Sequence, residues 1–486
     1  MEQYDAPVSQ LAADVREGRT TPTELVEAFI KRIESVNPLL NAMVADRFDD
    51  ARTEAAVQTA QLHGSGTDLP PLFGIPITVK EFVEVQGMPN TGGLMARKGS
   101  IASKDSPLVT RLRDAGAIVL GVTNAPEVGL WTETVNRLYG RTRNPHDLNR
   151  TPGGSSGGEA ALVGCGASPL GIGTDIGGSV RLPAFCCGVF AHKATAGVIP
   201  NVGLFPSMEG ETGRLHTAGP IARSVSDLTL LVDILAGHHP DDSLSTAGIE
   251  PAVVHRPEDA HVLVVESPGR PRVTGPVKKA IRQSAAALAA RGIPVRGWSH
   301  PGLARGFDLW SAAMEEASGD ASFQDVLGDG GPISPWAEAV KLLFGQSNHT
   351  TPAVVLLLLE GAMARLPVSR RRRLLATLSE LRQRLEDALG PNGVLLYPSY
   401  TRTAPRHRRM MLRPFDFACT GLFNALELPV TQVPTGRATD GMPLGVQVVG
   451  ATGRDRTTLT VASWLEQDLG GWVRPTPQRY ASLRGE

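Results

Sequence analysis

Residues 151–184 read TPGGSSGGEAALVGCGASPLGIGTDIGGSVRLPA. Two Gly/Ser loops, GGSSGG at 153–158 and GTDIGGS at 173–179, bracket one short apolar segment. Glycines at 177 and 178 permit a sharp turn in which backbone N–H groups converge without interference from a Cβ. Converging amides form an anion-binding nest, and Ser179 stands at its end. If the Ser179 hydroxyl attacks a carbonyl, the developing oxyanion falls among the amides of Ile176, Gly177, Gly178 and Ser179. Loss of one such donor costs on the order of 100-fold in rate.

The GGSSGG loop presents a second candidate hydroxyl, Ser155. Gly/Ser runs are often flexible linkers, but a helix-like apolar segment, EAALVGCG, follows this one directly. A phosphate-cradling loop requires G-x-x-x-x-G-K-[ST], and no lysine follows either glycine cluster.

A serine nucleophile needs a base. None of the 11 histidines stands in a recognisable triad context, and His192, the nearest, reads as a structural group. Lys80 is the alternative. Residues 76–80, PITVK, read as a short buried strand that delivers a lysine at its end. A lysine serves as a base where burial or a neighbouring positive charge lowers its pKa.

Working outward, Thr21-Pro22-Thr23-Glu24 predicts a helix start: Thr21 as N-cap, Pro22 in the first turn, Glu24 closing a capping box. Leu25, Phe29, Ile33 and Val36 repeat at helical spacing, and Asn37-Pro38 is expected to stop the run. A second helix is expected over 49–63 and a loop over 64–71. Ser106-Pro107 starts another helix, and 117–122 reads as a strand. Helix and strand alternating in this way predict an α/β chain with parallel pairing. Further helices are expected at 224–235, 277–290, 374–389 and 459–469. Further strands are expected at 261–265, 293–298, 394–397, 430–433 and 446–449. Residues 300–370 read as mostly helical. Arginines crowd 365–413, including Arg370 to Arg373, as a solvated helix face does.

Bulk properties exclude several classes. With 48 basic and 49 acidic residues the net charge is −1, so attraction to nucleic acid is not indicated. The longest apolar run, 353–359, falls well short of the roughly 20 residues a spanning helix needs. Cys165, Cys186, Cys187 and Cys419 lack metal-ligand spacing and fit reduced thiols of a cytoplasmic protein.

GIPITVKE before and around Lys80, PGGSSGG around Ser155 and GIGTDIGGSVRLPA around Ser179, in this order, resemble the amidase signature family. The resemblance runs from about residue 8 to about residue 475. It implies one large α/β domain over 1–486, with a mixed central β-sheet covered by helices on both faces. The core signature region lies at about 70–235 and a variable, substrate-side region at about 300–415. It implies a Ser–cis-Ser–Lys triad with Ser179 as nucleophile, Ser155 after a cis Gly154–Ser155 peptide as relay, and Lys80 as base. Ser156, Asp175 and Arg181 match supporting positions. No metal or organic cofactor is implied.

Later segments, GLFPSMEG, HTAGPIARSVSDL, NALELPVTQVPTG and GMPLGVQVVG, are most similar to the branch containing type 2 fatty acid amide hydrolase and its bacterial relatives. This implies a small-molecule amide substrate with an apolar acyl or aryl group, with Leu130, Trp131 and Met208 as candidate pocket residues. Homodimerisation is left open. The same triad also serves ammonia-supplying subunits of glutamine-dependent amidotransferases, and acyl transferases in which an amine replaces water. Residues 300–415 carry no glutamine-binding pattern that we recognise. AHKAT at 191–195 replaces the family's more usual L-K-P-T, and FCCG carries an extra cysteine.

Overall fold

The strand expected at 76–80 forms over those residues, and every one of them is buried. It lies inside an 11-stranded mixed sheet. The computed structural model describes residues 3–62, 69–208, 210–251, 253–319, 322–362 and 367–475 (3, 361 and 362 by backbone alone).

In chain order the strands of this sheet are β1 (Met43–Asp46), β2 (Pro76–Lys80), β3 (Ile118–Thr123), β4 (Leu170–Asp175), β5 (Phe190–Lys193), β6 (Thr217–Ala222), β7 (His261–Val264), β8 (Val295–Gly297), β9 (Gly393–Pro398), β10 (Val430–Arg437) and β11 (Pro443–Val449). Their spatial order is β1-β3-β2-β4-β6-β5-β10-β11-β9-β7-β8. Parallel pairing holds in two blocks, β3-β2-β4 and β9-β7-β8. The strands between these blocks pair antiparallel, as does β1 with β3. The parallel pairing expected from helix–strand alternation is therefore correct for the two blocks and wrong for the centre. There β6 inserts antiparallel between β4 and β5, and β10 and β11 form a hairpin across the short connection 438–442.

The sheet is covered on both faces. On β9, Val394 and Leu396 enter one apolar core while Leu395 and Tyr397 enter another, as the two-residue period of a strand requires. The first core takes in the helix Pro22–Leu40 (α1) through Leu25, Phe29 and Ile33. The second takes in the helices Gly306–Ser318 (α2), Val368–Leu389 (α3) and Ala418–Ala425 (α4) through Leu309, Leu381 and Phe423. On α3 the five leucines at 374, 378, 381, 385 and 389 are buried, as their spacing predicts.

Helix α1 begins as expected, with the Thr21–Glu24 capping box formed. It does not stop at Asn37-Pro38. It runs through Pro38 to Leu40 and ends where Asn41 turns left-handed at φ 51°. Proline removes one backbone donor, a small loss in a final turn. Continuing buries Leu40 completely, and the Asn37 side chain accepts from the amides of Ala42 and Met43 beyond the helix end. The second helix is Phe48–Leu62. His63 and the first part of the loop expected at 64–71 lie outside the described residues. Among the described residues no helix is long and apolar enough to cross a membrane, and the four cysteines are buried free thiols.

Candidate active site

Strand β2 ends at Lys80, whose side chain is fully buried. Its Nζ lies 2.6 Å from Ser155 Oγ and 2.9 Å from Thr174 Oγ1, and 4.3 Å from the centre of the Phe82 ring. Burial pushes the Lys80 pKa down to about 7, against the opposing pull of Asp175, Glu159 and Glu81. Two of these carboxyls are themselves raised by burial, Glu159 to about 8 and Glu81 to about 7. Glu159 accepts from Thr78 and Thr123, each at 2.8 Å. Glu81 accepts from the Thr91 and Gly92 amides.

The loop that brings Ser155 to Lys80 runs too close to its neighbours for side chains. A Cβ on Gly153 meets the Pro183 backbone at 2.7 Å, and one on Gly154 meets the Trp131 carbonyl oxygen at 2.8 Å. The Gly154–Ser155 peptide is cis. Immediately afterwards the chain enters the helix Gly157–Gly164. The Ser156 amide donates to the Ser179 carbonyl at 3.0 Å. Its hydroxyl lies 3.3 Å from both the carbonyl and the amide of Thr174. Ser156 thus ties the two Gly/Ser loops together at the end of β4. Ser179 is half-buried. Among the described residues no hydrogen bond joins its hydroxyl to Ser155.

Past β4 the chain turns around Asp175. This fully buried carboxylate accepts from the Gly178 amide at 2.7 Å and the Val180 amide at 3.2 Å. Arg181 Nε and one terminal nitrogen also reach it, each at 3.0 Å. Burial alone raises the Asp175 pKa, but the Arg181 guanidinium and the Asn424 side chain hold it well below the ordinary carboxylate value. The remaining guanidinium donors bind Gln447 at 2.8 Å and Asn424 at 2.6 Å. Gly178 adopts φ 115°, where a Cβ would collide with Thr420. Of the four amides expected in the nest, that of Gly178 already donates to Asp175. Those of Ile176, Gly177 and Ser179 carry no hydrogen bond among the described residues.

The profile of the family described as "Amidase" matches residues 24–459. The chain belongs to the amidase signature family. It is 40% identical to fatty-acid amide hydrolase 2-B of Danio rerio, covering 96% of this chain and 90% of that one. It is 31% identical to a glutamyl-tRNA(Gln) amidotransferase subunit of Oleidesulfovibrio alaskensis, over 96% of this chain and 98% of the other. Among solved structures, 6-aminohexanoate cyclic dimer hydrolase complexed with substrate superposes with a TM-score of 0.82 at 29% identity, covering 98% of this chain and 99% of that one.

This amidase treats the other candidates unevenly. Trp131 abuts Gly154 through its carbonyl and is half-buried against the first core. Leu130 packs in a small third apolar cluster with Leu94, Val128, Leu327, Ala353 and Leu357. Its neighbour Gly129 lies beside Ser155, since a Cβ there comes within 3.4 Å of Ser155 Oγ. Met208 is half-buried, with its carbonyl beside Gly213. His192 is structural, as its context suggests: fully buried, it bonds Thr431 at 2.9 Å and Asp455 at 3.0 Å. In the arginine run, Arg370, Arg372 and Arg373 are exposed, and Arg371 pairs with Glu315 and Glu316. Among the described residues no group of three or more His, Cys, Asp or Glu side chains could hold a metal ion. Sequence reading misses Thr174, Glu159, Asn424, Trp310 and Thr420. Thr174 and Glu159 lie inside or directly beside the Gly/Ser loops but carry no signal of their own there, whereas Trp310, Thr420 and Asn424 are isolated residues that only the fold carries to the site.

Proposed function

We propose that this amidase hydrolyses a carboxylic amide with an apolar acyl or aryl group through an acyl-enzyme on Ser179. The observation that carries the reading is the buried 2.6 Å contact between Lys80 Nζ and Ser155 Oγ, directly beside a turn of open amides. Neutral Lys80 accepts the Ser155 proton, Ser155 takes that of Ser179, and Ser179 Oγ attacks the carbonyl carbon. Negative charge gathers on the carbonyl oxygen, opposite the amides of Ile176, Gly177 and Ser179. When the C–N bond breaks, the proton held on Lys80 passes through Ser155 to the departing amine. Water then attacks the acyl-enzyme, its proton following the same path to Lys80, and the carboxylic acid leaves as Ser179 recovers its hydrogen. Ser156, Asp175 and Arg181 hold the two loops in register and do not touch the reacting atoms.

The apolar acyl preference is supported by the surroundings. Val128 and Leu130 flank Gly129 beside Ser155, and Phe307, Trp310 and Phe417 pack together next to Gly177. The relative at 40% identity bears the name of a fatty-acid amide hydrolase. The ammonia-supplying reading rests on the same triad and on a relative at 31%. A fluorophosphonate should label the wild-type protein and not Ser179→Ala, which should also lose all amide turnover. Labelling that survives in Ser179→Ala overturns the nucleophile assignment. A panel of amides graded in acyl chain length tests the substrate class, with kcat/KM expected to rise with apolar length.

A further inference from the structure

Three successive carbonyls of the turn after β4 are each held from behind by a side chain. The Asp175 carbonyl accepts from Asn424 Nδ2 at 3.1 Å, the Ile176 carbonyl from Trp310 Nε1 at 2.8 Å, and the Gly177 carbonyl from Thr420 Oγ1 at 2.8 Å. Two of the donors, Thr420 and Asn424, lie four residues apart on one face of α4, and Trp310 comes from α2, which packs against it. The peptide unit is planar and trans, so its C=O and N–H point in opposite directions. A carbonyl drawn toward α2 and α4 therefore turns the next residue's N–H away from them. Asn424 orients the Ile176 amide, Trp310 the Gly177 amide and Thr420 the Gly178 amide.

The three anchors are not equivalent. The Thr420 hydroxyl has one proton and a second acceptor, the Phe417 carbonyl, also at 2.8 Å. The Gly178 amide that it orients is already bound to Asp175. Asn424 shares its amide among Asp175 and the Leu215 carbonyl. Trp310 has one N–H, spent on a single acceptor, and no acceptor capacity, and the Ile176–Gly177 peptide unit that it holds has an open amide. Its ring is fixed edge-on to Phe417, with centroids 5.0 Å apart. Gly421 makes room for it, since a Cβ at 421 comes within 3.3 Å of Trp310 Cδ1.

We infer that Trp310 is a positioning residue for the oxyanion nest: by holding the Ile176 carbonyl, its indole N–H keeps the Gly177 N–H aimed at the substrate's carbonyl oxygen. Without it, the Ile176–Gly177 peptide, followed by a second glycine at 178, is free to rotate and present its carbonyl lone pair to the developing negative charge. The inference rests on the reading of Ser179 as the nucleophile.

The test is Trp310→Phe, which keeps an aromatic ring and removes the N–H, assayed on an acyl anilide that the wild-type enzyme hydrolyses. An indirect loss of one nest donor is expected to lower kcat about 10- to 100-fold with KM within about twofold. Affinity for an activated ketone that forms an oxyanion on Ser179 should weaken by the same factor. Replacing Trp310 with 3-benzothienylalanine, which exchanges the N–H for sulfur at nearly unchanged shape, should reproduce the loss even if the phenylalanine variant folds poorly. Wild-type kcat in the benzothienyl enzyme, or a rise in KM alone, overturns the inference. Fluorophosphonate labelling of Ser179→Ala overturns the nucleophile reading instead, so the two failures are distinguishable.

Discussion

Lys80 Nζ and Ser155 Oγ meet at 2.6 Å although 75 residues separate them in the chain, and both side chains are shut off from water. An ammonium in that position has no hydration shell, and burial brings its pKa down to about 7. A base must be neutral to accept a proton. Above about pH 7 Lys80 is mostly neutral and turnover should reach a plateau. Below it, kcat/KM on an amide should fall toward tenfold per pH unit. A profile that stays flat down to about pH 5 contradicts a lysine base.

Lys80→Ala removes both the base and the proton that the departing amine requires. General acid–base catalysis contributes about 10²- to 10⁴-fold, and amide cleavage needs both halves of it. An activated ester has a leaving group stable without a proton. The variant should therefore lose far more kcat/KM on an amide than on a nitrophenyl ester with the same acyl group. Equal losses on the two substrates point to a structural lysine.

Asp175 and Arg181 form a fully buried pair with both members hydrogen-bonded. Removing one partner of such a pair strands the other charge and costs about 3–5 kcal/mol. Arg181→Met should lower the unfolding free energy by that order in a denaturant titration. The pH dependence has a definite sign. The Asp175 pKa is depressed in the folded protein, so its contribution is complete above the unfolded value near 3.8 and is lost as pH falls through the acid range. The acid-side slope of stability should be shallower in the variant. A variant as stable as wild type shows the pair to be dispensable.

What could be read from the sequence follows physical lines. The strand ending in Lys80 was legible because its apolar run is short, bounded and incongruous with a terminal lysine. The turn at 176–179 was legible because consecutive glycines mark a backbone that a Cβ would obstruct. The Asp175–Arg181 brace and the cis peptide entered only through resemblance, since nothing in the residues themselves demands either. Strand β6 was hidden: TAGPIA has no two-residue alternation, and its Pro220, paired with Ile172, reads as a strand breaker. Tertiary packing overrides that preference, burying the whole strand. The anchors Trp310, Thr420 and Asn424 stand 134 to 249 residues from the carbonyls they bind. No local pattern carries such a pairing, and only the fold does.

Gly178 tests the shape of the nest most directly. Its φ of 115° disfavours any L side chain, and a Cβ there runs into the Thr420 side chain. Gly178→Ala must either rotate the turn or displace Thr420, and each disturbs the amides on both sides of residue 178. The amidase activity should fall by about 100-fold or more, the scale of a lost oxyanion donor, in a protein that still unfolds cooperatively. Adding Thr420→Ala removes the clashing hydroxyl but leaves the Thr420 Cβ too close to the new methyl, and the backbone strain stays in place. The double variant should therefore recover only part of the lost kcat. Full recovery assigns the whole effect to the clashing hydroxyl, and wild-type activity in Gly178→Ala alone shows that this turn does not carry the oxyanion.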